Sequence, residues 1–267
     1  MGRDFLSEIV VHKKETVAAA RSRISEDRLI EDGMKRDAKR SFLDAMRKKD
    51  GEATVNIIAE IERASPSKGN IRIDLDPAVL AAQYETGGAA ALSVLTETDY
   101  FKGSLDDFQK VRKAAVLPML RKDFIISTYQ IYESKAMCAD AVLLIARILS
   151  PSQLKDYLAL STELDLDALV EINSMEDLES ANAAGAVLIG INNRNLASFD
   201  TDIETAMRFS AMMGPDQIPV AASGISKKED ILRNRRAGIY NFLIGESLVR
   251  AENPSEFLQS LKTAKME

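Results

Sequence analysis

Glu60 and Glu62 sit two residues apart at the end of the apolar run Ile57-Ile58-Ala59-Glu60-Ile61-Glu62, before the loop Arg63-Ala64-Ser65-Pro66-Ser67-Lys68-Gly69. Residues two apart in a strand share a face, so both carboxyls point one way and Ile61 and Arg63 the other. Pro118-Met119-Leu120-Arg121-Lys122-Asp123-Phe124 brings a lysine to the end of another run. Desolvation would lower its pKa toward the working range and make it a proton donor. A plain salt bridge to a neighbouring carboxylate is the alternative. Leu169-Val170-Glu171-Ile172 ends a third run with a lone carboxylate. A buried Glu is unfavourable unless paired, so its partner would be Lys122 or a substrate group. A carboxylate facing a lysine across a cavity is an acid–base pair in outline.

The elements that must position these groups are repetitive. After the run at 57–62 come seven more short apolar runs, at 91–97, 118–124, 141–147, 168–172, 186–193, 219–223 and 241–247. Each ends in a polar or glycine-rich patch and leads into a helix-like stretch. Val142-Leu143-Leu144-Ile145 is apolar throughout, as strands buried on both faces of a parallel sheet must be. The helix signals agree. Asp76-Pro77 opens a helix that Gly87-Gly88 stops, and Ser150-Pro151-Ser152-Gln153 and Ser226-Lys227-Lys228-Glu229 have capping-box spacing. Eight strand–helix units predict a closed (β/α)8 TIM barrel, whose chemistry sits at the C-terminal strand ends. That rule gathers Glu60, Glu62, Lys122, Glu171, Asn192, Ser223 and Gly245 around one mouth.

Ala221-Ala222-Ser223-Gly224-Ile225 and Ile244-Gly245-Glu246-Ser247 end the seventh and eighth runs. Loops at these two positions recurrently bind phosphate through backbone N–H groups and a helix N-terminus. A phosphorylated small-molecule substrate is therefore expected.

Bulk properties narrow the function further. At 267 residues the chain fits one barrel over 1–267, with residues 1–50 as a helical extension. In that extension Phe5, Leu6, Ile9 and Val10, then Phe42, Leu43 and Met46, predict two amphipathic helices joined by a charged, solvated middle. A net charge of -6 and a pI near 5.2 argue against a nucleic-acid surface. They leave room for a local cationic pocket. The single Cys138 forbids an internal disulfide and reads as a buried structural thiol. With one histidine, His12, a His-rich metal site is impossible, and a Ser-His-Asp triad would have to recruit the N-terminal segment. The N-terminus lacks the pattern of a secretory signal, and no run approaches the ~18 apolar residues of a membrane span. A soluble, cytoplasmic protein without a membrane partner is expected.

Longer motifs add a resemblance. Ile-Ala-Glu-Ile-x-Arg-Ala-Ser-Pro-Ser-Lys-Gly at 58–69, Ser-Val-Leu-Thr-Glu at 93–97, Tyr-Phe-Lys-Gly-Ser at 100–104, Leu-Arg-Lys-Asp-Phe-Ile at 120–125, Ile-Gly-Ile-Asn-Asn-Arg at 189–194 and Leu-Ile-Gly-Glu-Ser-Leu at 243–248 resemble indole-3-glycerol phosphate synthase. The resemblance covers essentially the whole chain, N-terminal helices included. It implies decarboxylative ring closure of 1-(2-carboxyphenylamino)-1-deoxyribulose 5-phosphate to indole-3-glycerol phosphate, a carboxy-lyase step of tryptophan biosynthesis. By the same resemblance Lys122 is the general acid and Glu171 the general base of the dehydration. Glu60 assists and Asn192 orients the substrate. Phosphate lies against Ser65, Gly224, Gly245 and the backbone of Glu246, beside Ser223. Phe101, Phe124, Leu143 and Leu196 wall the anthranilate ring, and Arg194 supports the mouth. No metal or organic cofactor is implied. Contact with neighbouring tryptophan-pathway enzymes is a further expectation about partners.

Two positions depart from the family's pattern. Its first strand carries Glu-x-Lys where this chain has Glu60-Ile61-Glu62, and its seventh carries Glu-Ser-Gly where this chain has Ala222-Ser223-Gly224. A unit charge pair at ~4 Å and an effective dielectric of ~20 is worth about 4 kcal/mol, so a reversed sign is costly to an anionic ligand. Arg63 points to the wrong face to compensate, which leaves Lys68. Two other functions keep a place beside the synthase. One is a related phosphate-binding barrel such as phosphoribosylanthranilate isomerase. The other is a catalytically weakened paralogue that binds a phosphorylated ligand or a partner enzyme.

Overall fold

The computed structural model describes residues 5–36, 39–47, 55–195 and 199–263. Its strands are β1 Asn56–Ile61, β2 Ala64–Ser65, β3 Gly69–Asn70, β4 Ala91–Leu95, β5 Met119–Lys122, β6 Ala141–Ile145, β7 Asp167–Ile172, β8 Leu188–Asn192, β9 Ile218–Ala222 and β10 Asn241–Ile244. All but β2 and β3 close a parallel barrel, in the order β1-β10-β9-β8-β7-β6-β5-β4. β2 and β3 form a small antiparallel hairpin in the loop after β1. The eight barrel strands are those expected from the apolar runs, and the fold is a TIM barrel with N-terminal helices.

Side-chain alternation sorts the strands into two apolar layers. Ile57, Ile61, Val94, Val142, Val170, Ile189 and Phe242 pack outward among residues of the surrounding helices, such as Leu80, Tyr84, Phe108 and Leu154. Ile58, Leu120, Leu143, Leu169, Leu188, Val220 and Leu243 pack on one another inside the barrel. One step of two residues up from an interior side chain reaches the rim. Ile58 leads to Glu60, Leu120 to Lys122 and Leu169 to Glu171.

The helices start where their caps require. Asp76 accepts the amides of Ala78 and Val79 ahead of α4 (Pro77–Thr86), and Ser150 with Gln153 forms the expected capping box of α7 (Pro151–Glu163). At Ser226 the expectation is one residue early. Asp230, not Glu229, accepts the amides of Ser226 and Lys227, and α10 runs Lys228–Arg236. Cys138 is partly buried rather than buried, because it sits at φ +63 in the turn after α6 (Thr128–Ala136).

Among its described residues the extension holds three helices, not two: α1 Phe5–Arg23, α2 Glu26–Met34 and α3 Phe42–Met46. The charged middle contains α2, whose Leu29 clusters with Val17 of α1 and Tyr129 of α6. Just past α2, Arg36 pairs with the buried Asp140 at 2.6 Å, so this stretch is not merely a solvated face. The extension reaches both ends of the barrel. Leu6 and Ile9 of α1 pack with Phe124 at the strand ends, and Lys13 pairs with Asp123 at 2.8 Å. Phe42 and Met46 of α3 join the interior cluster, and the Leu43 amide donates to Asp167, the first residue of β7.

Candidate active site

A cavity of about 600 Å³ opens at the C-terminal strand ends. Glu60, Glu62, Ser65, Phe101, Lys122, Phe124, Leu143, Glu171, Asn192, Arg194, Ser223, Gly224, Gly245 and Glu246 all line it. Two further residues are named from the sequence. Leu196 lies outside the described residues, and Ala222 stands in register with Asn192, but its short methyl, 6% exposed, packs in the interior cluster with Val220 and Leu243 and does not line the cavity.

Glu60 is fixed by its neighbour in register. β1 pairs with β4 so that Glu60 lies opposite Ser93, whose hydroxyl donates to Glu60 Oε2 at 2.6 Å. Lys122, at the end of β5, places Nζ 3.9 Å from the same oxygen. Burial works against the lysine's charge, but Glu60, Glu171 and Glu62 outweigh it and raise Lys122 above the ordinary lysine range. This corrects the expectation of a lowered pKa: the carboxyl groups that the barrel gathers beside Lys122 attract its charge more than burial opposes it. Lys122 is thus an acid that stays charged throughout the neutral range.

Across the mouth Asn192 Nδ2 donates to Glu171 Oε1 at 3.2 Å. The Asn192 side-chain oxygen accepts the Arg194 amide at 3.0 Å, and Asn173 holds the carbonyls of Asn192 and Arg194 at 2.8 and 2.9 Å. Glu171 therefore faces the cavity from a braced frame.

Glu62 follows β1, is 9% exposed and turns into the cavity as the alternation requires. Burial, then the charge of Glu60, pushes its carboxyl up to about 8. Arg63 points away as expected and binds Asp107 and the Leu75 carbonyl. Lys68 does not pair with Glu62. Its Nζ lies 3.7 Å from Glu246 Oε2, because the hairpin carries it across to α11 (Glu246–Arg250).

The last two strand ends are bare backbone. Ser223 and Gly224 take consecutive left-handed conformations, φ +67 and +76, and a Cβ at Gly224 would strike the Thr201 and Ile203 methyls. A Cβ at Gly245 would run into the Glu62 carboxyl, and would lie 3.3 Å from Glu60 Oε1.

Opposite these loops Phe101 and Phe124 stand 6.0 Å apart between ring centres, tilted by 46°. Glu97, 1% exposed, shapes the Phe101 loop by accepting the amides of Asp99, Tyr100 and Phe101. His12 of α1 ties the same loop down by bonding Asp99 at 2.6 Å. The sequence reading missed Leu6 and Ile9 as cavity walls, although their helical spacing was visible, since spacing does not say where a helix docks. It also missed Arg250, four residues beyond Glu246 and bonded to it at 3.1 Å.

Comparison with known proteins agrees with this geometry. Residues 6–261 match the family model for indole-3-glycerol phosphate synthase. Relatives bearing that name include one from Desulfosudis oleivorans, 57% identical over 97% of this chain and 99% of its own. Another from Syntrophobacter fumaroxidans is 48% identical over 97% of each chain. A third, from Bordetella pertussis, is 43% identical over 97% of this chain and 98% of its own. The solved thiamine phosphate pyrophosphorylase of Pyrococcus furiosus superposes with a TM-score of 0.59 over 79% of this chain and 95% of its own. At 14% identity it shares the fold alone. Barrel, mouth and near-complete coverage by relatives of one name converge: the chain belongs to the indole-3-glycerol phosphate synthase family.

Proposed function

We propose that this mouth converts 1-(2-carboxyphenylamino)-1-deoxyribulose 5-phosphate to indole-3-glycerol phosphate, CO2 and water, with Lys122 and Glu171 as its acid and base. The observation that carries the assignment is a charged lysine and a braced carboxylate over one cavity, with Glu60 3.9 Å from the lysine. The aromatic ring lies between Phe101, Phe124 and Leu143, and the phosphate lies at the Ser65, Gly224, Gly245 and Glu246 backbone. Lys122 gives a proton to the ketone oxygen as the ring carbon bearing the carboxylate attacks the carbonyl carbon. Departure of CO2 leaves its bonding pair in the ring and restores aromaticity. The new hydroxyl then leaves as water with a second proton, while Glu171 removes a proton from the substrate. Two protons enter at one oxygen and one departs, so one is consumed overall as the carboxylate becomes neutral CO2.

Glu60 keeps Lys122 charged and aimed, and Asn192 aims Glu171. No described helix is long and apolar enough to cross a membrane. A cytoplasmic location and contact with neighbouring pathway enzymes belong to the same reading. The test is ring closure by the purified chain, followed by indole fluorescence. The chain has no tryptophan, so product appears against a dark protein background. Absence of product from the folded protein would overturn the assignment.

A further inference from the structure

The steps above leave Glu62 without a task, yet its carboxyl is nine-tenths buried, faces the cavity and makes no hydrogen bond among the described residues. It lies with Glu60 against the bare backbone of Gly245. A Cβ built there would be 3.0 Å from Glu62 Cδ and 3.3 Å from Glu60 Oε1. Two carboxyls meeting at one buried patch repel each other when both are ionised, and one proton relieves the repulsion.

Charged groups face Glu62 from several elements. Glu60 comes from β1, Lys122 from β5, Arg194 from the segment after β8 and Glu246 from α11. Tyr84 of α4 also senses its charge. Lys68 and Arg250 are drawn off by Glu246, at 3.7 and 3.1 Å. Asp123 is already neutralised from behind by Lys13 and Arg121, so among the described lining residues four carboxyl groups, Glu60, Glu62, Glu171 and Glu246, face four cations, Lys68, Lys122, Arg194 and Arg250, two of which Glu246 holds.

We propose that Glu62 works as a neutral carboxylic acid, holding one proton for the Glu60–Glu62 pair, and that this proton admits anionic ligands to the mouth. While protonated, Glu62 donates a hydrogen bond to a ligand oxygen at the Gly245 side. Once ionised it adds a third carboxylate beside Glu60 and Glu246 and repels the ligand. A family member that lacks the first-strand cation thereby accepts an anion through a donor that exists only below a pH set by burial and by Glu60. The direction is fixed by the raised carboxyl: neutral below about 8, charged above it. Lys122 is raised above the ordinary lysine range and keeps its charge through this window. The proposal rests on the ring-closure reading.

Sulfate is the probe, because it does not titrate near neutrality. Its dissociation constant, measured by calorimetry on the intact chain, should rise about tenfold between pH ~7 and ~9, the slope expected of one linked proton. Glu62→Gln, a permanently neutral donor, should bind sulfate at pH 7 like the parent protein and show no rise. Glu60→Gln should move the rise to lower pH, since it removes the charge that holds the proton on Glu62. A flat profile in the parent protein, or a rise that persists in folded Glu62→Gln, would overturn the proposal. If Glu62→Gln does not fold, a Glu60→Gln profile unmoved from the parent's would do the same. Failure of the underlying reading is visible separately: the parent protein would then form no indole product, or sulfate would not compete with the substrate.

Discussion

Lys122 Nζ stands 3.9 Å from Glu60 Oε2, an oxygen already engaged by the Ser93 hydroxyl at 2.6 Å. That spacing is an ion pair without a short hydrogen bond, so Glu60 stabilises the lysine's charge while leaving its protons available to a ligand. The pair joins β1 and β5 across β4, and the β1–β4 register holds it by setting Glu60 opposite Ser93.

Replacing Lys122 with Ala should lower kcat by about 10²-fold or more, the usual scale for a general acid. Because the lysine is raised above its ordinary range, its own deprotonation should not limit the rate below pH ~10. Steady-state rates of the parent protein against pH check the second point. An alkaline loss that disappears in Glu62→Gln belongs to the carboxyl pair, and one that remains in that variant belongs to Lys122.

Glu171 and Asn192 should separate by degree. Glu171→Gln removes the base and should cost about 10²-fold or more in kcat. Asn192→Ala removes the 3.2 Å bond that aims the carboxylate but leaves the base present. A loss of about tenfold in kcat, with KM little changed, is expected of a positioning group. Kinetics of both variants at saturating substrate, with circular dichroism to confirm folding, supply the comparison.

The rim was legible where two-residue alternation inside a strand decided it. Ile58 to Glu60 and Leu120 to Lys122 follow from periodicity alone, and the structure keeps both. The sign of the Lys122 shift was not legible. It depends on how closely Glu60, Glu62 and Glu171, 49 to 62 residues away in sequence, approach the lysine once the barrel closes. Lys68 was misassigned for a related reason: the β2–β3 hairpin that delivers it to Glu246 has only two residues per strand. The docking of α1 over the mouth was hidden too, because a helix's apolar stripe does not name its partner. Leu6 and Ile9 could equally have packed against another helix.

At the loops after β9 and β10 the backbone leaves no room for side chains. Gly224 lies at φ +76, with the Thr201 and Ile203 methyls against its open side. Gly224→Ala should therefore destabilise the fold by about 1–3 kcal/mol, the cost of a strained position, and raise KM as the β9 loop shifts. Gly245→Leu should act more on binding, displacing the Glu62 carboxyl and covering the approach to the α11 amides. The measurements are urea melts for the first and KM with sulfate competition for both. Unchanged sulfate binding in Gly245→Leu would put the phosphate elsewhere.

Lys13 gives the sharpest stability prediction. Its ammonium pairs with Asp123 at 2.8 Å, with the two side chains 8% and 3% exposed. Asp123 also accepts the Thr96 hydroxyl and the Phe124 amide, so it is the knot joining α1 to the Lys122–Phe124 segment. Burial pushes the Asp123 carboxyl up, but Lys13 and Arg121 outweigh it and hold the group below the ordinary carboxylate range. Unfolded chains then bind more protons than folded ones between the two pKa values. The pair's contribution is accordingly full above pH ~4 and is lost as pH falls through the depressed value. Lys13→Ala removes one of the two cations of Asp123 and leaves Arg121 at 3.1 Å, so the loss should fall below the ~3–5 kcal/mol of a buried charge left without any partner. Urea melts at neutral pH should show that loss. Repeating them toward pH ~3 should narrow the gap between variant and parent, because protonation of Asp123 removes in both proteins what the lysine supplied. A gap that does not change with pH would mean that Lys13 holds α1 in place by packing its methylene chain rather than by its charge.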